Sequence, residues 1–154
     1  TEVWATLRHR RCVNMGGVPA AEGMRAEIMP AWVGSVCSAL TSAGAFSAES
    51  PANHVLLNEY GAGEYIDAHR DGPMYEPIVA ILSLASECTF EFVAAEPERR
   101  RESGGSLRLA PRSLLLFSED AYASWLHHVQ PVAERRLSLT VRRVLNVTPV
   151  EPPR

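Results

Sequence analysis

The feature that most limits what this chain can fold into is a change of hydrophobic period at Asn53. From there on, apolar and polar residues alternate in short runs near 53–60, 64–70, 78–84, 88–94, 105–110, 113–118, 125–129 and 135–145, each bounded by turn-forming residues. Alternation of period two buries one face of a strand and leaves the other for solvent or for a cavity. About eight such strands predict a mainly β fold with a flanking helix, a double-stranded β-helix (jelly roll) whose two sheets face each other around an open cavity. At 154 residues the chain fits one domain with a substantial core.

The first part of the chain is patterned differently. Val3 to Leu7 alternate enough for a strand, and the basic cluster Arg8, His9, Arg10 and Arg11 that follows reads as a solvated loop. Gly16, Gly17, Pro19 and Gly23 mark a further loop. Pro30 then opens a helix carrying Trp32, Val33, Val36, Cys37 and Leu40 on one stripe, with its Trp and Cys expected in the core. Later, Glu96 to Gly105 reads as an exposed hairpin loop with Arg99, Arg100 and Arg101 in water.

Composition excludes some function classes. No apolar run approaches the ~20 residues needed to cross a bilayer as a helix, so no membrane partner is expected. Cys12, Cys37 and Cys88 are odd in number, scattered and without a C-x-x-C pair, which points to a reducing, intracellular compartment, cytoplasm or nucleus. All fifteen basic residues are Arg, and the net charge of −3 argues against a generally basic nucleic-acid-binding surface while leaving room for a local patch. There is no heptad and no clearly surplus apolar face to indicate an oligomeric state.

Several strands carry groups suited to chemistry. His69 and Asp71 stand two apart, so on a strand they share a face, and an imidazole with a carboxylate is two thirds of the facial triad of non-haem Fe(II) oxygenases. His127 and His128 are adjacent on a later strand, where alternation lets only one of them join such a triad. Asn58 and Tyr60 offer an amide and a phenol on one face. The run from Arg136 to Arg142 gives one face of Arg136, Ser138, Thr140 and Arg142 and another of Leu137, Leu139 and Val141. That polar face belongs either in solvent or in a cavity; in a cavity, two guanidiniums require an anion, and a dicarboxylate fits their bidentate geometry.

Taken in order, Asn58-x-Tyr60, His69-x-Asp71, a later His and Arg136-x-Ser138-x-Thr140-x-Arg142 resemble the AlkB-type Fe(II) and 2-oxoglutarate-dependent dioxygenases, from about Trp4 to Leu145. The stretch His69-Arg70-Asp71-Gly72-Pro73 with Tyr75 and Pro77, preceded by Asn53-His54-Val55-Leu56, looks like the branch called AlkB homologue six. The resemblance implies that His69, Asp71 and His127 ligate Fe(II) and form the catalytic centre. His127 takes the first place of the family's His-Gly-Ile type triplet, with His128 in the small position, a departure from the pattern. It further implies that Arg136 holds the distal carboxylate of 2-oxoglutarate, with Arg142, Asn58, Tyr60 and Ser138 completing its contacts. Ser138 stands where many relatives have Asn.

The implied activity is oxidative demethylation or hydroxylation of alkylated DNA or RNA, with O2 and 2-oxoglutarate as cosubstrates. Residues 1–52 would then form a lid-like, helical N-terminal part, 53–145 the jelly-roll core and 146–154 a tail of a single domain, and the chain, which begins at Thr1, would lack a segment that relatives carry before Trp4. Arg8, Arg10 and Arg11 are the expected phosphate contacts. Two other readings stay open: a hydroxylase or demethylase of a protein or small molecule, since one iron fold serves several substrate classes, and a nucleic-acid-binding module with little catalysis.

Overall fold

The computed structural model describes residues 3–96, 98 and 103–150, so the expected position of Arg99, Arg100 and Arg101 lies outside the described residues. The N-terminal part contains β1 (Ala5–Leu7), β2 (Arg10–Met15), β3 (Pro19–Ala20), β4 (Gly23–Arg25) and α1 (Ala31–Ser42). Next come β5 (His54–Tyr60), β6 (Ile66–His69), β7 (Ile78–Leu84), β8 (Cys88–Ala94), β9 (Ser103–Leu109) and β10 (Leu114–Ser118). The described chain then runs through α2 (Glu119–Ala123), β11 (Trp125–Val129), β12 (Arg136–Arg142) and β13 (Val147–Thr148). Strands β5 to β12 match the eight read from periodicity to within three residues at each end.

The larger sheet runs β1-β2-β5-β12-β7-β10 and the smaller one β6-β11-β8-β9, all antiparallel, which is the expected jelly roll. β12 lies inside the larger sheet, in register with β5 from Arg136↔Tyr60 to Arg142↔His54 and with β7 on its other side. Its alternation assigns the two faces. Leu139 and Val141 pack outward with Val55, Val13 and Ala80 against Val33, Cys37 and Leu40 of α1. Between the sheets, Phe90, Phe92, Phe117, Ile81 and Val129 form a second apolar cluster. The larger sheet is therefore covered on both faces, so the polar residues of its inner face are not in open water.

Several local features depart from the sequence reading. Arg10 and Arg11 open a strand instead of sitting in a loop: β2 pairs with β5, and its own alternation sends Val13 and Met15 into the outer core. Trp32 is 48% exposed. The buried helix positions are Val33, Cys37 and Leu40, and Trp32, one residue and about 100° from Val33, falls on the flank of that stripe. The glycine-rich loop folds into the β3–β4 hairpin, and β13, in the segment read as a tail, pairs parallel with β4. Gly16 ends β2 at φ +93°, where a Cβ would collide with the Asn53 carbonyl. No helix among the described residues is long and apolar enough to cross a membrane.

Candidate active site

β6 and β11 are neighbours, and their register sets His69 opposite His127, with ring centroids 4.3 Å apart. β6 ends at His69, so Asp71 is not presented by strand alternation as the spacing suggested. It is held from the loop by an ion pair with Arg142 at 2.5 Å. Next to it, the Tyr122 hydroxyl donates to the Gly72 carbonyl at 3.1 Å. One ligand atom each from His69, Asp71 and His127 lies within 4.8 Å of the others.

Both imidazoles are suited to ligation. The His69 Nδ1–H donates to the Asp67 carbonyl at 2.8 Å, leaving the Nε2 lone pair to face the cluster. Burial pulls the His69 pKa down. Burial, reinforced by the neighbouring His69, pulls His127 down to about 4. Both rings are thus neutral near pH 7, the form that binds a metal. His128 points the other way and meets Glu91, its cross-strand partner, at 3.0 Å on the outer face.

The cluster opens into a cavity of about 180 Å³. The inner face of β12 forms its floor: Arg136, Ser138, Thr140 and Arg142 all line it, which settles the choice between solvent and cavity. Arg136 is 1% exposed. Its Nη2 donates to Ser83 Oγ at 2.9 Å, and its guanidinium lies 5.4 Å from the Tyr60 ring centroid. No carboxylate among the described residues pairs with it. Arg142 stacks on Tyr75 at 4.1 Å while bound to Asp71.

Three buried polar atoms in this site have no partner: Asp71 Oδ2, Arg136 Nε and Arg142 Nε. Buried polar groups are almost always paired, and an unpaired buried guanidinium is strongly unfavourable. A free carboxylate oxygen beside two neutral imidazoles matches a divalent cation, and two free guanidinium donors deeper in match a dianion.

The expected residues His69, Asp71, His127, Asn58, Tyr60, Arg136, Ser138 and Arg142 all line this one cavity. The arginines of the N-terminal cluster are not brought together as one patch. Arg11 is ion-paired with Glu59, which also holds Arg135, and lies over Trp4 at 4.5 Å. Arg8 is exposed. Arg10 turns inward, lines the cavity and donates from Nε to Asn58 Oδ1 at 3.0 Å. Sequence reasoning missed that placement and the role of Ser83. Available signals were the alternation of Arg10, Cys12 and Asn14 with Val13 and Met15, and a lone serine within the apolar run Ile78–Leu84.

Residues 7–144 match the family described as 2OG-Fe(II) oxygenase superfamily. The chain is 36% identical over 153 residues to the "Probable RNA/DNA demethylase ALKBH6" of Danio rerio, covering 94% of this chain and 64% of that protein. It is 30% identical over 126 residues to the "Alkylated DNA repair protein ALKBH8 homolog" of Arabidopsis thaliana, covering 65% of this chain and 36% of that one. It thus spans less than two thirds of the length of either relative. The fold is shared with the structure of OsALKBH1, at TM-score 0.65 and 15% identity over 90% of this chain and 84% of that one. It is shared equally with a 2OG-Fe(II) family oxidoreductase from Burkholderia pseudomallei, at TM-score 0.65 and 16% identity over 93% and 72%. The family implies Fe(II) and 2-oxoglutarate, the cation and dianion that the unpaired groups of the cavity fit. By matched sequence, by fold and by this donor set, the chain belongs to the 2OG-Fe(II) oxygenase superfamily.

Proposed function

We propose that this chain is the catalytic domain of an AlkB-type dioxygenase that hydroxylates N-alkyl groups of DNA or RNA, and so demethylates them. The observation that carries the reading is the largely enclosed cluster of His69, Asp71 and His127, of which His127 is buried, adjoining two guanidiniums, Arg136 and Arg142, that retain free donors. When bound, Fe(II) with 2-oxoglutarate supplies C–H hydroxylation coupled to decarboxylation, one atom of O2 entering succinate and the other the substrate, with release of CO2.

The side chains divide the remaining work. His69, Asp71 and His127, the two-histidine, one-carboxylate donor set suited to a non-haem Fe(II), would hold the metal. Arg136 anchors the distal carboxylate at the closed end of the cavity, steadied by Ser83 and by the Tyr60 ring. Arg142 orients Asp71 and, through its free Nε, adds a donor toward the cosubstrate. Asn58, Tyr60 and Ser138 supply neutral polar groups along its length. The apolar walls from Leu56, Ile66, Ile81, Phe90 and Val129 limit water around the reacting carbon. A hydroxylated N-methyl carbon is a hemiaminal; its C–N bond breaks, the nitrogen recovers a proton and formaldehyde leaves.

The identity of the ALKBH6 and ALKBH8 relatives supports nucleic acid as the substrate class. The test is formaldehyde release from single-stranded oligonucleotides carrying a methylated base, with Fe(II), 2-oxoglutarate and air. Stoichiometric formaldehyde and succinate are expected. Succinate without formaldehyde, unresponsive to methylated bases, would transfer the reading to a protein or small-molecule hydroxylase.

A further inference from the structure

The cavity is lined by a third guanidinium, Arg10, beyond the two to which the proposed function gives a role. Arg136, 1% exposed, and Arg142, 6% exposed, occupy its closed part. Arg10 is only partly buried, unlike the other two, and lies on β2, across β5 from both of them. Its Nε is fixed on Asn58 Oδ1 at 3.0 Å, and among the described residues its two Nη groups have no partner. Its positive charge reaches His69 and Tyr60, on opposite walls of the cavity.

The lining holds three guanidiniums, Arg10, Arg136 and Arg142, against a single carboxylate, Asp71, which Arg142 already pairs. Glu59, the nearest acid on β5, faces outward to Arg11 and Arg135. A ferrous ion and a 2-oxoglutarate dianion bring equal and opposite charge, so the loaded site keeps an excess of positive charge. Arginine does not deprotonate at any working pH, so this excess is permanent.

Resting on the demethylase reading above, we infer that the site takes an uncharged alkylated base and rejects a cationic one, and that Arg10 is the residue that makes the distinction. N-alkylation leaves two classes of base. Alkylation on an exocyclic amine, as in N6-methyladenine, leaves the base neutral with acceptor atoms on its ring. Alkylation on a ring nitrogen, as in 1-methyladenine, makes it a cation at neutral pH. The Arg10 fork donates to the acceptors of the first and repels the charge of the second. Like charges roughly 6–10 Å apart in a partly buried site change affinity on the order of tenfold to a hundredfold.

The two bases differ only in the position of one methyl group and in the proton that gives the second its charge, so oligonucleotides that differ only in which one they carry have identical phosphates, and backbone contacts cancel in the ratio. Affinity is measured by fluorescence anisotropy on the chain loaded with Mn(II) and 2-oxoglutarate without oxygen, and formaldehyde release is measured in parallel with Fe(II) in air. Each variant is first checked for stabilisation by 2-oxoglutarate. The unaltered chain is expected to bind the N6-methyladenine strand at least tenfold more tightly than the 1-methyladenine strand. Arg10→Gln should abolish that ratio, and Arg10→Lys, which keeps the charge, should retain most of it. Equal affinity for both strands, preference for the cationic base, or a ratio unchanged in Arg10→Gln overturns the inference. If the binding ratio holds while no formaldehyde forms, the demethylase reading fails and the inference about the cavity stands. If formaldehyde forms equally from both strands, the reading stands and the inference fails.

Discussion

Replacing Arg136 with Met should sharply lower cosubstrate affinity without a matching loss of apoprotein stability. Arg136 is 1% exposed, has no carboxylate partner among the described residues, and leaves its Nε without an acceptor. Exchange of a buried charged group for a well-packed apolar side chain is often neutral or stabilising by about 1–4 kcal/mol. The hydrogen bond to Ser83 Oγ, worth about 1 kcal/mol, and the contact of the guanidinium with the Tyr60 ring, worth about 0.5–2 kcal/mol, are lost in return. The apoprotein variant should therefore melt close to the parent or above it, at about 2–4 °C per kcal/mol for a chain of this size. On the proposed role of Arg136, the same change would remove its charge-assisted hydrogen bonds to the distal carboxylate in the loaded protein. Each such hydrogen bond contributes about 1.5–3 kcal/mol, so 2-oxoglutarate affinity should fall by roughly a hundredfold or more. The assay is thermal unfolding with Mn(II), with and without 2-oxoglutarate, titrated to saturation. A variant that melts well below the parent and keeps the full 2-oxoglutarate shift would refute the assignment of Arg136 as an anion site held in waiting.

Other outcomes follow from particular contacts. His54 is buried with Nε2 at 2.9 Å from Asn14 Oδ1, and burial together with the Arg142 charge pushes its pKa from 6.5 down to about 3. Its folded value lies below its unfolded one, so its contribution to stability is complete above pH 6.5. That contribution falls by about 1.4 kcal/mol per pH unit as pH drops toward the folded value; His54→Gln should flatten this acid limb in urea melts, and an unchanged limb would contradict the assignment. A Cβ at Gly104 of β9 would lie 2.5 Å from the Trp125 ring, so Gly104→Ala should cost about 1–3 kcal/mol in chemical denaturation, and a change within 0.5 kcal/mol would mean that the indole has room to move. His128→Ala breaks only the partly exposed contact with Glu91, so isothermal titration should show metal affinity within about twofold of the parent, at a stability cost of no more than about 1 kcal/mol.

The fold was legible because its signal is local. β8 buries every second residue, and β12 alternates polar with apolar residues without a break, while β5 and β7 read as short apolar-rich runs bounded by turns. The sequence alone left open which face of β12 is wet, because that depends on α1 covering the other side of the sheet. The same tertiary fact moved Arg10. Four basic residues in a row mask the alternation of β2, and only pairing with β5 reveals that one guanidinium points inward while the next is tied to Glu59. His69 and Asp71 were found by the right spacing for a partly wrong reason, since the strand stops at His69 and Arg142 positions the carboxylate. Ser83 escaped notice because a single serine in an apolar strand has no pattern; its meaning lies in the arginine across the sheet.

The measurement closest to the centre of this account is succinate formation from 2-oxoglutarate with Fe(II) under air, compared among the unaltered chain, His127→Ala and His128→Ala, with bound iron quantified in each. Register and burial turn His127 toward His69 and Asp71, and His128 toward Glu91. The expected result is turnover and stoichiometric iron in the unaltered chain and in His128→Ala, and loss of both in His127→Ala. Loss confined to His128→Ala, or no succinate from an unaltered chain that holds both iron and 2-oxoglutarate, would contradict it.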